Sequence, residues 1–237
     1  EDGRVLVVSY TNRAVDEICG KLIEDGIDFM RIGNESSSSV ESRPYLFDNL
    51  IKDCRTVSQV RDMFLGKRVL CGTTSSMTAH LDMLCLAPFT LCIIDEASQI
   101  LEPHLASLLS ASCGTTPLLK RFVMIGDHKQ LPAVVQQSVA ESSVSADTET
   151  GAMLHSIGLT NCRNSLFERL LNRYRDNEDV VYMLTRQGRM HHDIADFPNK
   201  AFYQGRLTEV PLPHQTGELS FHNISANSTY TDIRDIL

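Results

Sequence analysis

The run Thr90-Leu-Cys-Ile-Ile94 ends abruptly in an acid pair, Asp95-Glu96. A continuous apolar run of this kind reads as a strand buried on both faces. Its carboxyl end is where open α/β sheets place their ligands. There Asp95 can hold a magnesium ion through water, and Glu96 can orient and deprotonate an attacking water. The competing reading is a loop or helix start, because carboxylates favour the first helical turn. A second run, Phe122-Val-Met-Ile125, leads into Gly126-Asp127-His128-Lys129-Gln130-Leu131-Pro132. Two buried strands in succession are thus expected to deliver polar groups to one edge of a parallel sheet. A glutamine held there, Gln130, can bridge a terminal phosphate and the far wall of a cleft, and so report hydrolysis.

Two hydroxyl-rich strand ends accompany these acids. Thr11 and Asn12 follow the run Arg4-Val-Leu-Val-Val8; they either cap a helix or, with its first amides, meet a phosphate backbone. Thr73-Thr74-Ser75-Ser76 follows Arg68-Val-Leu-Cys-Gly72 and reads equally as a phosphate-facing loop or as an ordinary hydroxyl-rich turn. His191-His192-Asp193 carries metal-ligating groups, but adjacent side chains on a helix diverge, so no metal is expected there.

These groups need a scaffold of alternating strands and helices. Val15, Ile18, Leu22 and Ile23 fall on one helical face that Gly26 can terminate. Residues 34 to 62 are polar and serine-rich, a surface excursion with a helical piece from Gln59 to Leu65. Glu102-Pro103 opens a helix through Leu105, Leu108 and Leu109. Residues 138 to 160 are small and polar and read as a mobile loop. Ser165-Leu-Phe-Glu168 is a capping box for a helix bearing Leu166, Leu170, Leu171 and Tyr174. Val180-Val-Tyr-Met-Leu184 reads as the last strand, ahead of Thr185-Arg186-Gln187-Gly188-Arg189, with a helix from Ile194 to Phe202. Residues 208 to 237 are weakly patterned.

The chain has 237 residues, enough for one sizeable α/β core, and 42% of them are apolar. A formal net charge of −8 excludes a uniformly basic coat, yet only the face touching phosphates must be positive to bind nucleic acid. Seven cysteines, scattered and without a C-x-x-C spacing, support neither a zinc site nor a disulfide framework; reduced, buried thiols are expected. No apolar run approaches a membrane span and no secretory signal stands at the start. The expectation is a cytoplasmic or otherwise intracellular monomer, with a bacterial source preferred. The sequons at Asn34, Asn223 and Asn227 are then chance matches. Glu1-Asp2-Gly3-Arg4 runs straight into a strand, which reads as a cut start.

Four stretches in order resemble the motor core of superfamily 1 helicases: Tyr10-Thr-Asn-Arg-Ala-Val-Asp-Glu17, Ile94-Asp-Glu-Ala-Ser-Gln99, Gly126-Asp-His-Lys-Gln-Leu-Pro132 and Leu184-Thr-Arg-Gln-Gly-Arg-Met-His191. They look most like the branch of the nonsense-mediated-decay helicases and the DNA-replication nuclease-helicases. Phe197-Pro-Asn-Lys-Ala-Phe-Tyr-Gln-Gly-Arg-Leu207 also resembles that branch's entry into its second motor domain. The resemblance implies an α/β, RecA-like P-loop NTPase fold with a mostly parallel sheet, incomplete at both ends. Residues 1–184 would form the first RecA-like domain and residues 185–237 a linker and the start of the second. It implies ATP and Mg2+ as cofactors and a single nucleic-acid strand as partner, DNA in preference to RNA, in replication and repair. Asp95 would serve the metal, Glu96 the water, and Gln130 the terminal phosphate. Arg189 would act as an arginine finger, Asp127 would brace its loop, and Gln187 would lie near the phosphates. Thr11, Asn12, Thr73 and Thr74 match positions that grip the strand.

Three departures stand beside this likeness. No G-x-x-x-x-G-K-[ST] occurs; at Gly66-Lys67, Arg61 stands where the first glycine belongs and Arg68 follows the lysine. The family places that loop upstream of Thr11-Asn12, so it is expected to have been removed, as is the rest of the second domain after Leu237. Gly188 holds a position where relatives often carry a tyrosine that stacks on adenine. The reading is the central piece of an ATP-driven helicase or translocase, inactive by itself. The rival is a catalytically silent binding or scaffolding remnant of the same fold. A metal-dependent nuclease at Asp95-Glu96 lacks further acids.

Overall fold

In a computed structural model, which describes residues 3–216, the chain divides into two compact units, Glu1–Asn177 and Glu178–Leu237.

The first unit alternates strand and helix. β1 (Val5–Ser9) runs into α1 (Asn12–Glu24), and Gly26 at φ 66° turns the chain into β2 (Phe29–Ile32). The short α2 (Phe47–Leu50) and α3 (Val57–Gly66) lead to β3 (Val69–Thr73). Next come α4 (Thr74–Ala79), α5 (Leu81–Leu84) and β4 (Leu91–Ile94). α6 (Glu102–Ser110) has its proline in the first turn, as expected. A two-strand hairpin, β5 (Ser112–Cys113) and β6 (Thr116–Pro117), precedes β7 (Phe122–Met124). α7 (Glu149–Ser156) and α8 (Leu166–Tyr174) complete the unit.

Five strands form one all-parallel sheet in the order β2-β3-β1-β4-β7. Short apolar runs separated by helical connections favour parallel pairing, because the helices supply the crossovers that parallel neighbours need and cover the faces of the sheet. The α/β fold with a parallel sheet expected for a RecA-like P-loop protein is the fold observed. Leu6, Val8, Met30, Ile32, Leu70, Cys92 and Ile94 bury one face of the sheet in the main core; Val7, Phe29 and Cys71 bury the other beneath α1.

Several expectations need correction. The acid-bearing β4 is only partly buried, with Leu91 and Ile93 half-exposed; the middle strand is β1, flanked by β3 and β4. β7 is an edge strand rather than a buried one: Phe122 and Val123 are 43% and 48% exposed, because no described strand covers its outer side. Residues 180–184 form no strand. Tyr182 and Leu184 are 85% and 74% exposed, and an apolar run without a ladder partner has no reason to become a strand. The stretch 138–160 contains α7, capped by the Thr148 hydroxyl on the Gly151 amide and tied back by His155 Nε2 donating to the Val144 carbonyl (2.7 Å).

The serine-rich stretch is more than a surface excursion. It wraps Arg31, whose side chain is 1% exposed and pairs with Asp16 of α1. Arg31 donates to Ser42 Oγ (2.7 Å), while the Ser42 hydroxyl and the Ser39 amide donate to the Asp16 carboxylate (2.9 and 3.0 Å). A charge taken from water requires such partners, so the serines solvate a buried ion pair. Burial holds the Arg31 guanidinium below its ordinary pKa.

The second unit holds β8 (Arg186–Gln187), α9 (His192–Phe202), β9 (Thr208–Glu209) and α10 (Pro213–Thr216). β8 and β9 pair in parallel. Asn199 clamps the turn after α9, donating to the Leu207 carbonyl and accepting from its amide (both 2.9 Å). Gln204 and Gly205 in that turn both adopt positive φ. The sequons at Asn223 and Asn227 lie outside the described residues.

Candidate functional site

Parallel register carries the sequence's polar strand ends to one edge of the sheet. Ser9 pairs with Thr73, Val8 with Ile94, and Ile94 with Met124. The residues that follow, Thr11, Thr74, Asp95-Glu96 and Gly126-Asp127, therefore leave from the same side.

The loops after β4 and β7 interlock there. The Asp95 amide donates to the Val8 carbonyl (2.8 Å), so its backbone still belongs to the ladder. Glu96 then adopts the left-handed conformation (φ 51°, ψ 37°), uncommon for a residue with a Cβ. That single residue swings the chain out of the strand into a 3₁₀ turn, Ala97–Gln99. The Ala97 amide donates to the Ile125 carbonyl (2.8 Å), and the Asp127 amide donates to the buried Ser98 hydroxyl (3.3 Å). A Cβ at Gly126 would stand 2.9 Å from the Ser98 nitrogen, so only glycine lets the two loops approach this closely. Gln99 Nε2 donates to Glu96 Oε2 (3.1 Å), fixing the carboxylate.

In the neighbouring loop Asp127 accepts from the Lys129 amide (2.9 Å) and from Gln130 Nε2 (3.0 Å). Asp127 therefore organises the turn that carries Gln130, and the Gln130 amide is folded back onto it. Asp95 and Glu96 are half-buried, and Gln130 is exposed. Sequence reasoning assigned no role to Ser98, Gln99 or Gly126, which position these groups; a glycine directly before Asp127 was the one available signal. It also passed over Ser9, whose buried hydroxyl has no hydrogen-bond partner among the described residues and lies next along β1 from the carbonyl that holds Asp95.

The four residues expected to grip a strand divide in two. Thr11 and Asn12 are exposed at the start of α1, whose first turn carries no acid, and Thr11 Oγ1 accepts from the Ala14 amide (3.2 Å). Thr73 and Thr74 are buried. Thr73 Oγ1 caps α4 by accepting from the Ser76 amide (3.1 Å). The cap reading of Thr11 and the turn reading of Thr73-Thr74 therefore describe the local geometry, and Thr73 and Thr74 present little side-chain surface to a ligand.

In the second unit, Gln187 is engaged by its own turn. Its Oε1 accepts from the Arg189 and Met190 amides (3.1 and 2.8 Å), and its Nε2 donates to the Met190 carbonyl (2.8 Å). Gln187 thus sets the backbone from which the exposed Arg189 projects. Buried Gln215 tightens the same turn, donating to the Gln187 and Met190 carbonyls (2.8 and 3.2 Å). A Cβ at Gly188 would meet only ordinary contacts with Leu212 and Val210, so the backbone does not demand glycine there.

His191, His192 and Asp193 do not diverge as a helical pair would. His191 is the extended cap before α9, and ligand atoms of the three lie within 4.8 Å of one another. Hydrogen bonds engage the two rings: His191 Nδ1 accepts from the Asp193 amide (3.2 Å), and His192 Nδ1 donates to the Gln215 carbonyl (3.1 Å). The group is built as a helix cap.

All seven cysteines are free, and three of them, Cys19, Cys71 and Cys92, are buried. Among the described residues no helix is long and apolar enough to cross a membrane.

Comparison with known proteins adds an independent line. Two family matches, each described as an AAA domain, cover residues 51–138 and 162–233. The chain is similar to the DNA replication ATP-dependent helicase/nuclease DNA2 of Gallus gallus, at 31% identity over 86% of this chain and 18% of the relative. It is similar to the protein of the same name from Xenopus laevis, at 30% identity over 89% of this chain and 18% of the relative. The probable helicase MAGATAMA 3 of Arabidopsis thaliana is 29% identical over 87% of this chain and 25% of its own length. The chain thus spans a quarter or less of these relatives. All three come from eukaryotes and lend no support to a bacterial source.

Proposed function

Because this chain carries the AAA-domain sequence of superfamily 1 helicases, we propose that it is the central part of a motor that couples ATP hydrolysis to movement along a single nucleic-acid strand. DNA is the favoured strand, because the relatives are named DNA replication helicase/nucleases. The observation that carries this reading is the interlock of the β4 and β7 loops, which sets an acid pair beside a braced glutamine at one sheet edge.

The donor set suits the cofactors. Asp95 offers half-exposed hard oxygens of the kind magnesium takes. The bound metal would neutralise charge developing on the phosphoryl oxygens. Glu96, held by Gln99, orients and deprotonates the attacking water. Gln130, released from Asp127, contacts the terminal phosphate; Asp127 keeps its loop in shape. Arg189, exposed on a turn that Gln187 braces, would act as the arginine finger that stabilises transition-state charge. The exposed Thr11 and Asn12, with the first amides of α1, hold strand phosphates. Thr73 and Thr74, being buried, contribute through the backbone at the start of α4.

The test is Glu96→Gln in the full-length parent. Nucleotide binding is expected to persist while strand-stimulated hydrolysis falls about 100-fold or more, the scale of a lost general base. Unchanged turnover would remove Glu96 from this role. Loss of binding and hydrolysis together, with no folding defect, would favour a scaffolding protein.

A further inference from the structure

The seven cysteines differ sharply in company and access. Cys19 of α1 and Cys71 of β3 neighbour one another in one buried cluster and are sealed from solvent. Cys92 is buried within β4, whereas Cys54 and Cys162 are more accessible. Cys85 and Cys113 combine both properties. Each is half-buried, each packs against the main core, and their side chains lie close enough to influence one another. Cys85 Sγ also lies 3.6 Å from the carbonyl of Ser112, the residue before Cys113. Cys85 closes the C-terminus of α5; Cys113 ends β5, just before the positive-φ turn at Gly114.

We propose that Cys85 and Cys113 are a redox modification site, which a hydroperoxide converts into an intramolecular disulfide stapling the end of α5 to the β5–β6 hairpin. The chemistry balances with one equivalent of hydrogen peroxide. One thiol attacks the peroxide O–O bond, giving a sulfenic acid and releasing water. The second thiol attacks that sulfur, forming the S–S bond and releasing another water. The two sulfurs together lose two electrons, and the peroxide gains them. With the Cys85 sulfur 3.6 Å from the carbonyl of the residue before Cys113, the two thiols need only short movements to reach disulfide geometry. Partial exposure admits the oxidant that the Cys19–Cys71 pair never meets.

The staple has a defined reach. The closed loop from Cys85 to Cys113 contains β4, the Asp95-Glu96 turn and α6, so oxidation restrains the segment that carries the acid pair. Burial, together with the Cys85 contact, pushes the Cys113 thiol up to about 11. It is therefore protonated at neutral pH, and closure speeds up as pH rises towards that value.

The experiment treats the purified 237-residue chain with hydrogen peroxide and maps its peptides without reduction. The expected product is one linked pair containing Cys85 and Cys113, formed faster at pH 9 than at pH 7. Its melting temperature should rise by roughly 5–10 °C and return on adding dithiothreitol. Cys85→Ser and Cys113→Ser should each lose both the bridge and the rise. If either variant fails to fold, the wild-type peptide map decides. Bridges between other cysteines, intermolecular dimers, or separate sulfinic acids at Cys85 and Cys113 would overturn the proposal. So would a mapped bridge that leaves the melting temperature unchanged.

Discussion

Glu96 carries two burdens in one residue. It is the proposed base, and it also occupies a left-handed conformation that costs an L-residue about 1–2 kcal/mol. Strain at such a position persists because the flanking ladder bonds, Asp95 to Val8 and Ala97 to Ile125, hold both sides. Both Glu96→Ala and Glu96→Gly lose the Gln99 contact, so their difference isolates the backbone. Urea denaturation is expected to find the glycine variant more stable than the alanine variant by about 1 kcal/mol. Equal stability would mean that the left-handed turn is not retained in solution. The buried Arg31–Asp16 pair is strained differently, by desolvation, and the serines around it supply what water would.

Between elements, the decisive contact is the approach of the β4 and β7 loops. An alanine at Gly126 would place its Cβ against the Ser98 and Ala97 nitrogens, backbone atoms that cannot rotate away. Gly126→Ala is therefore expected to cost about 1–3 kcal/mol and to part the loops. Gly66→Ala, at the end of α3 with open space around it, should be close to neutral. Chemical denaturation of the two variants separates a steric cause from a general intolerance of alanine. The outer edge of β7 and the exposed run 180–184 express one rule from two sides. An apolar stretch becomes a buried strand only where a ladder partner and a covering layer exist.

For the whole molecule, the two units are each compact, and the chain spans a quarter or less of the relatives named above. No G-x-x-x-x-G-K-[ST] nest for the β- and γ-phosphates occurs in its 237 residues. The purified chain is expected to hydrolyse ATP poorly or not at all, while the full-length parent turns it over. Robust, strand-stimulated turnover by the 237 residues alone would show that other groups cradle the phosphates. The same division explains why oxidation at Cys85–Cys113 is read by peptide mapping and melting rather than by activity.

Read alone, the amino-acid sequence determined the alternation of strands and helices, the parallel sheet and the succession of motif residues. These are local matters of apolar run length, caps such as Thr11 and Ser165, and polar groups at strand ends. It misjudged 138–160, because α7 has a small, weakly apolar face, and 180–184, because partner strands are invisible in a single run. Only tertiary structure decided that β1 takes the centre and β7 the edge, and that Ser39 and Ser42 solvate the Arg31–Asp16 pair. It also decided that Thr73 and Thr74 are enclosed, that Gly126 permits two loops to touch, and that Cys85 meets Cys113. Each of these depends on which distant segments become neighbours, a property of the packed chain that no spacing along it encodes.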